Sequence, residues 1–291
     1  MPAPWSRAPH LLVALTALSV GACKGTLEST PGARNELAGD IGVTARDEVE
    51  AGINALTVAT SLTPLDSAQS PTAFDAPCVA PSSPGDSDGD GVPDDATYFL
   101  TAPPCRFTGW RGGTLDLVGQ LRIQDPSATG AGFGYQATLT DLRTRFTNAG
   151  ADVIYDVTRS GTRTLGGSVS GLTLTSDLQV TRNFAGQPDA AIAEQWTMSY
   201  TPATPLQING QANSGSLDIA GTVHWVRGSE DLALVVTTPT LLQFDASCLD
   251  TVQRIKAGEL RATGTFDGAD GYVRVRWSGC GKEPTFDFVP S

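Results

Sequence analysis

The sequence predicts a mainly all-β protein: an antiparallel meander of about ten or more strands forming a curved sheet, barrel or sandwich, with one N-terminal helix. Three observations predict it. Through most of residues 98–291 apolar and polar residues alternate with a period of two, the pattern of strands with one wet face. The alternating runs are separated by turn material such as RSGTRTLGGS, NSGS and DGADG, too short for the helical crossovers that parallel strands require. A three- to four-residue apolar period occurs near the N-terminus, between Leu37 and Leu56.

The chain begins with one cation, Arg7, an apolar run from Leu11 to Val20, and small residues before Cys23. That is the order of a secretory signal over residues 1–22. The run is well short of the roughly 20 residues a membrane-spanning helix needs. The tetrapeptide Val20-Gly21-Ala22-Cys23 resembles the lipobox of bacterial lipoproteins. The resemblance implies that Cys23 carries lipid (palmitate among its chains), becomes the new N-terminus, and holds the protein on a membrane. Two or more acyl chains anchor stably, one only marginally. Lys24 in place of an aspartate implies the outer membrane under the sorting pattern of enteric bacteria. The expected location is therefore the cell envelope.

Charge and cysteine content narrow the class. The full chain carries 19 basic and 31 acidic side chains; removal of residues 1–22 would take away Arg7 and no acid. Only Lys24, Lys256 and Lys282 are lysines. Nucleic acid is excluded as a partner class, because phosphate binding needs clustered Lys and Arg. With Cys23 assigned to lipid, Cys78, Cys105, Cys248 and Cys280 remain, an even set in an exported chain. Three pairings are possible, of which the local ones, Cys78 with Cys105 and Cys248 with Cys280, are favoured. A zinc site is disfavoured by wide spacing, the lack of a CxxC pair and a single histidine beyond residue 22.

Residues 23–35 read as a lipidated tether. Over 36–60, Leu37, Ile41, Ala45, Val49, Ile53 and Leu56 form one apolar stripe, and Thr44 with Asp47 forms a capping box for the stronger half, 44–60. Packing of this stripe on the β domain is expected over lying at the membrane surface. Residues 61–85, with five prolines and no period, read as a linker pinned at Cys78. From 98 onward the strand pattern runs through Leu115–Ile123, Leu172–Phe184, Ile192–Tyr200, Leu217–Trp225 and Leu260–Phe266. Lack of aromatic girdles and charge on many strands weigh against an outer-membrane barrel.

Between linker and strands lies DSDGDGVPDD, five carboxylates in ten residues. Counted as a calcium loop, Asp86 takes position 1, Asp88 position 3, Asp90 position 5, Gly91 position 6, the Val92 carbonyl position 7 and Asp94 position 9. Position 12 is Thr97, where a bidentate acid is normal; Asp95 is the substitute if the loop closes differently. Helices do not flank it, so it is no EF-hand. DSDGDGVPDD is similar to the thrombospondin type 3 class of calcium repeats, a resemblance confined to residues 86–97 that implies a structural calcium ion and nothing about the rest. DGADG, at 267–271, reads as a tight turn.

Catalytic patterns are weak. His224 sits in a strand, on the polar face with Asp218 and Thr222, with no GxSxG elbow to serve. Arg143 with Arg145, and Arg274 with Arg276, recur at strand period as a basic stripe or a solvated face. The expectation is a non-catalytic envelope lipoprotein whose β module is structural or binds an envelope protein. The rival is a carrier of a lipophilic ligand inside the curved sheet, and a hydrolase ranks third.

Overall fold

The computed structural model describes residues 31–60, 74–75, 85–90, 92–100, 105–110, 113–127, 132–184, 187–207, 213–248 and 254–291. The lipobox with Cys23, most of the linker, and Cys78 lie outside them. Among the described residues one α-helix, α1 (Pro31–Thr60), precedes thirteen strands. These are β1 (Phe74–Asp75), β2 (Asp95–Phe99), β3 (Cys105–Trp110), β4 (Gly113–Gln124), β5 (Tyr135–Thr147), β6 (Val153–Ser168), β7 (Gly171–Arg182), β8 (Ala190–Pro202), β9 (Gly215–Arg227), β10 (Glu230–Phe244), β11 (Ile255–Phe266), β12 (Ala269–Trp277) and β13 (Thr285–Pro290). They form a single sheet in chain order from β3 to β13, with β1 on the outside of β3 and β2 paired to β4. Every pairing is antiparallel. The first and last strands do not meet, so the sheet stays open: of the predicted alternatives, the curved sheet forms, and the barrel and the sandwich do not.

The period-two pattern sets which side chains point inward. On β7, Leu172, Leu174, Leu178 and Val180 are buried while Thr173, Thr175, Asp177 and Gln179 are exposed. Leu174 pairs with Met198 and Met198 with Ile219, so one apolar layer runs across β7, β8 and β9. The predicted turn in DGADG is a two-residue hairpin loop, Asp267-Gly268, between β11 and β12. Both residues have positive φ, 48° and 75°, the type I′ geometry whose twist matches the flanking strands.

The helix begins earlier than predicted, at Pro31, because a proline at the first helical position loses no intrahelical hydrogen bond. Leu37, Ile41, Val49, Ile53 and Leu56 are all buried in the main core, and Ala45 packs against it. The stripe is thus spent on the sheet, as expected. Strands as distant as β5 and β13 reach α1: Tyr135 Oη donates to the Ala55 carbonyl at 3.0 Å, and Phe286 packs against Gly42. The sheet must therefore curl around the helix. Two glycines allow the close approach. A Cβ at Gly42 would stand 2.4 Å from Phe286 Cδ1, and one at Gly52 would stand 2.7 Å from Met198 Cε.

Residues 74–75 of the linker form β1, which pairs with β3 through Phe74–Phe107 and Asp75–Arg106. Strand β2 takes in Asp95–Thr97, which the sequence assigns to the acidic loop, because Arg122 opposite holds Asp95 in the ladder. The predicted Cys248–Cys280 disulfide is present, its Cα atoms 5.7 Å apart, and ties the short helical turn after β10 to the loop after β12. Cys105 is also disulfide-bonded. Among the described residues no helix is long and apolar enough to cross a membrane.

Candidate functional site

The loop Asp86–Asp94 folds back so that the N–H of Asp94 donates to the Gly85 carbonyl at 2.7 Å. Within it, aspartates bond local backbone in the short-range manner that makes Asp a turn residue. Asp86 Oδ1 accepts from the Gly89 N–H at 2.8 Å, Asp88 Oδ1 from Asp90 N–H at 3.2 Å, and Asp90 Oδ1 from Val92 N–H at 2.7 Å. Asp90 is 3% exposed, and its Oδ2 accepts from the Gly132 N–H at 3.0 Å, wiring the loop to the connection between β4 and β5. Gly89 has a φ of 75°, in the left-handed region that favours glycine, and Gly91, the turn glycine expected from the sequence, lies outside the described residues.

Three of the predicted ligands converge: one carboxylate oxygen each from Asp86, Asp88 and Asp90 lie within 4.8 Å of one another. The other two acids do not join them. Both oxygens of Asp94 bond Ser87, at 3.0 Å to its N–H and 2.6 Å to its hydroxyl, which holds the Asp94 carboxyl below its usual range. Both oxygens of Asp95 bond Arg122, at 2.8 and 2.5 Å, with the same effect. Val92 contributes a fully buried side chain to the main core and its N–H to Asp90.

A fourth acid, not singled out from the sequence, stands nearby. Asp125, after β4, donates its N–H to the carbonyls of Pro93 and Asp94 at 3.2 and 3.3 Å. The Asp88 carboxyl is pushed up, first by desolvation and then by the charges of Asp90, Asp125 and Asp86. Asp88 Oδ2 and Asp125 Oδ2 are both shielded from solvent with no hydrogen-bond partner. A carboxyl pushed up by the charges around it, beside acid oxygens left unpaired, is what a hard divalent cation with oxygen ligands relieves. Asp125 is a lone acid some thirty residues downstream, so no spacing rule marks it.

A second polar assembly lies under α1, where the sequence marks only an apolar stripe. Glu48 receives Arg159, and Arg163 at 3.1 Å; both arginines are on β6, and all three are less than a tenth exposed. Around it, Asp47 pairs with Arg182 at 2.5 Å, Asp40 with Arg227 at 2.5 Å, and Glu50 with Arg254 at 3.1 Å. Burial works against ionisation of Glu48, but the charges of Arg159 and Arg163 outweigh it and hold its carboxyl below the usual range. Glu194 on β8, 2% exposed, goes the other way. Burial, reinforced by the Glu48 charge, pushes its carboxyl up to about 8. Parity signals these residues: Arg159 and Arg163 share the inward register of Val157 and Leu165, and Glu194 that of Ile192 and Trp196.

The remaining candidates resolve into charge pairs on the sheet, two of them on the buried acids Asp156 and Glu259. His224 is half exposed, its Nε2 2.6 Å from Asp231 on β10. Arg143 bonds both oxygens of Asp156, and Arg145 lies 3.9 Å from the same carboxylate. Arg274 pairs with Asp287 on β13 and Arg276 with Glu259 on β11, so these arginines are neutralised by acids of the neighbouring strands. No protein-family model, curated protein or solved structure matches this chain, and its function must be argued from these residues.

Proposed function

We propose that this chain is an exported, lipid-anchored, non-catalytic protein of the cell envelope, probed best as a structural or binding module whose acidic loop takes one calcium ion. The observation that carries the reading is the filling of the concave face. Where a carrier would keep a ligand cavity of several hundred Å³, α1 occupies the trough and leaves about 50 Å³ beneath it. The helix is fixed there by four acids set against four strand arginines and Arg254, just before β11, a latch suited to a permanent core element. Outward-facing positions on β7, such as Thr173, Thr175, Asp177 and Gln179, leave a polar convex surface for a partner.

Calcium would be held by Asp86, Asp88 and Asp90, with Asp125 replacing the acid that position 12 lacks. Its role is structural: it neutralises the cluster and fixes how the linker enters β2 and the β4–β5 connection. The lipobox at Val20–Cys23 supports the anchor.

The test is fractionation of cells expressing the full chain or Cys23→Ala. The wild type should sediment with membranes and the variant should be soluble; equal membrane retention overturns the anchor. Native mass spectrometry of the same wild-type protein, released in mild detergent, should show the chain and its own acyl groups. A further retained lipid-sized mass would favour the carrier instead.

A further inference from the structure

Between α1 and strands β8–β11 a narrow cavity of about 50 Å³ is lined by Ala45 and Val49 of the helix and by Ile192, Glu194, Trp225 and Leu234 of the sheet. It sits where the small side chains of Thr44 and Ala45 face the sheet. Most of the lining is apolar, but two of the lining residues carry a buried polar atom with no hydrogen-bond partner, Glu194 Oε1 and Trp225 Nε1. The two residues are 2% and 1% exposed. They are diagonal neighbours on the inner face: Glu194 pairs with Val223, two positions from Trp225 on β9. Such neighbours lie about 7–8 Å apart along the backbone, within reach of one or two bridging molecules.

We propose that this cavity is a built site for a small neutral hydrogen-bonding molecule, and that its occupant is a cluster of two or three internal waters joining Glu194 to Trp225. Size excludes larger ligands. A water needs about 10–15 Å³ of such space, whereas a cavity that takes benzene measures about 150 Å³. Chemistry excludes an apolar occupant. An indole N–H can only donate, and a protonated carboxyl can donate and accept, so water alone of comparable size satisfies both. A buried water is held by two to four polar partners, which Glu194, Trp225 and neighbouring waters supply. Glu48, Arg159 and Arg163, the charged groups near Glu194, are engaged with one another, and Trp196 hydrogen-bonds the Glu194 carboxyl, which leaves Oε1 as its unpartnered oxygen. The proposal is independent of the calcium and lipid readings.

A crystal structure of the wild-type protein at about 1.5 Å or better, paired with one pressurised with xenon, tests this. Water density within hydrogen-bond distance of both Glu194 Oε1 and Trp225 Nε1, with no xenon in the cavity, is expected; a xenon site or featureless density there overturns it. In solution, the Trp225 indole proton should show a cross-relaxation peak to long-lived water. That peak should persist in Glu194→Gln and vanish in Glu194→Leu. Persistence in a folded Glu194→Leu protein counts against the bridge, and if that variant does not fold the wild-type crystals still decide.

Discussion

Glu48 and Arg163 meet at 3.1 Å across 115 positions of chain, each with a side chain less than a tenth exposed, and Arg159 closes on the other oxygen of the same carboxylate. A buried ion pair gains little net stability over apolar residues of the same shape, but removing one partner strands a charge in the core. Glu48→Gln is therefore expected to cost about 3 kcal/mol or more in urea unfolding. The triple change Glu48→Leu, Arg159→Met, Arg163→Met should cost much less. A single variant that unfolds like the wild type would show that the triad carries no such strain.

The Glu194 carboxyl binds its proton more tightly in the folded protein, at about 8 against an ordinary value of 4.5. The native state thus holds the extra proton between those limits, and stability must fall as pH rises through that window. Below about pH 4.5 this contribution is whole, and above about 8 it is gone. Melting curves from pH 5 to 9 should show the wild type losing ground to Glu194→Gln, which cannot ionise. Parallel curves would remove the effect.

Calcium sites on extracellular modules bind at about 10⁻⁴ to 10⁻³ M. If the loop binds at the tight end, 10 mM calcium stabilises by about 2.7 kcal/mol. Thermal shifts should rise with calcium in the wild type and disappear in Asp88→Asn/Asp90→Asn. Asp125→Asn should weaken the response, whereas Asp95→Asn, which breaks only the Arg122 pair, should not. An unchanged wild-type melting point in millimolar calcium would refute the site.

Cys248 and Cys280 close a loop of sequence separation 32. Cys248→Ser/Cys280→Ser should cost about 3–4 kcal/mol by chain entropy, read as a shift in denaturant midpoint without a change of fold. A loss below 1 kcal/mol would mean the loop is already confined without the bond.

The helix approaches β8 and β13 only because positions 42 and 52 lack side chains. Gly52→Val should force Met198 and Trp196 aside and destabilise by about 1–3 kcal/mol, as overpacking does. Gly39→Val, with nothing within 4 Å of its Cβ, is the control and should show no loss, only the small gain in helix propensity of valine over glycine.

How far these features could be read from the chain depends on their range. The strands from Leu172 to Tyr200 and the stripe from Leu37 to Leu56 are written in periods of two and of three to four, which local backbone geometry imposes on any half-buried strand or helix. The acidic loop is legible because consecutive aspartates bond their own neighbours. The release of Asp94 to Ser87 and of Asp95 to Arg122 is not legible, since it depends on where the loop meets β4. Asp125 and the Glu48 triad are invisible by spacing, though inward parity would have flagged Glu194, Arg159 and Arg163 as polar residues in apolar slots.

Sequence alone therefore determined the antiparallel strands, the apolar helix face and the tight Asp267-Gly268 turn, each a matter of a few adjacent residues. Whether the strands closed on themselves was decided only in three dimensions. The sheet remains open because α1 fills its concave side from β5 to β13, and closure depends on twist accumulated over many strands and on what lies inside, neither of which is a local property.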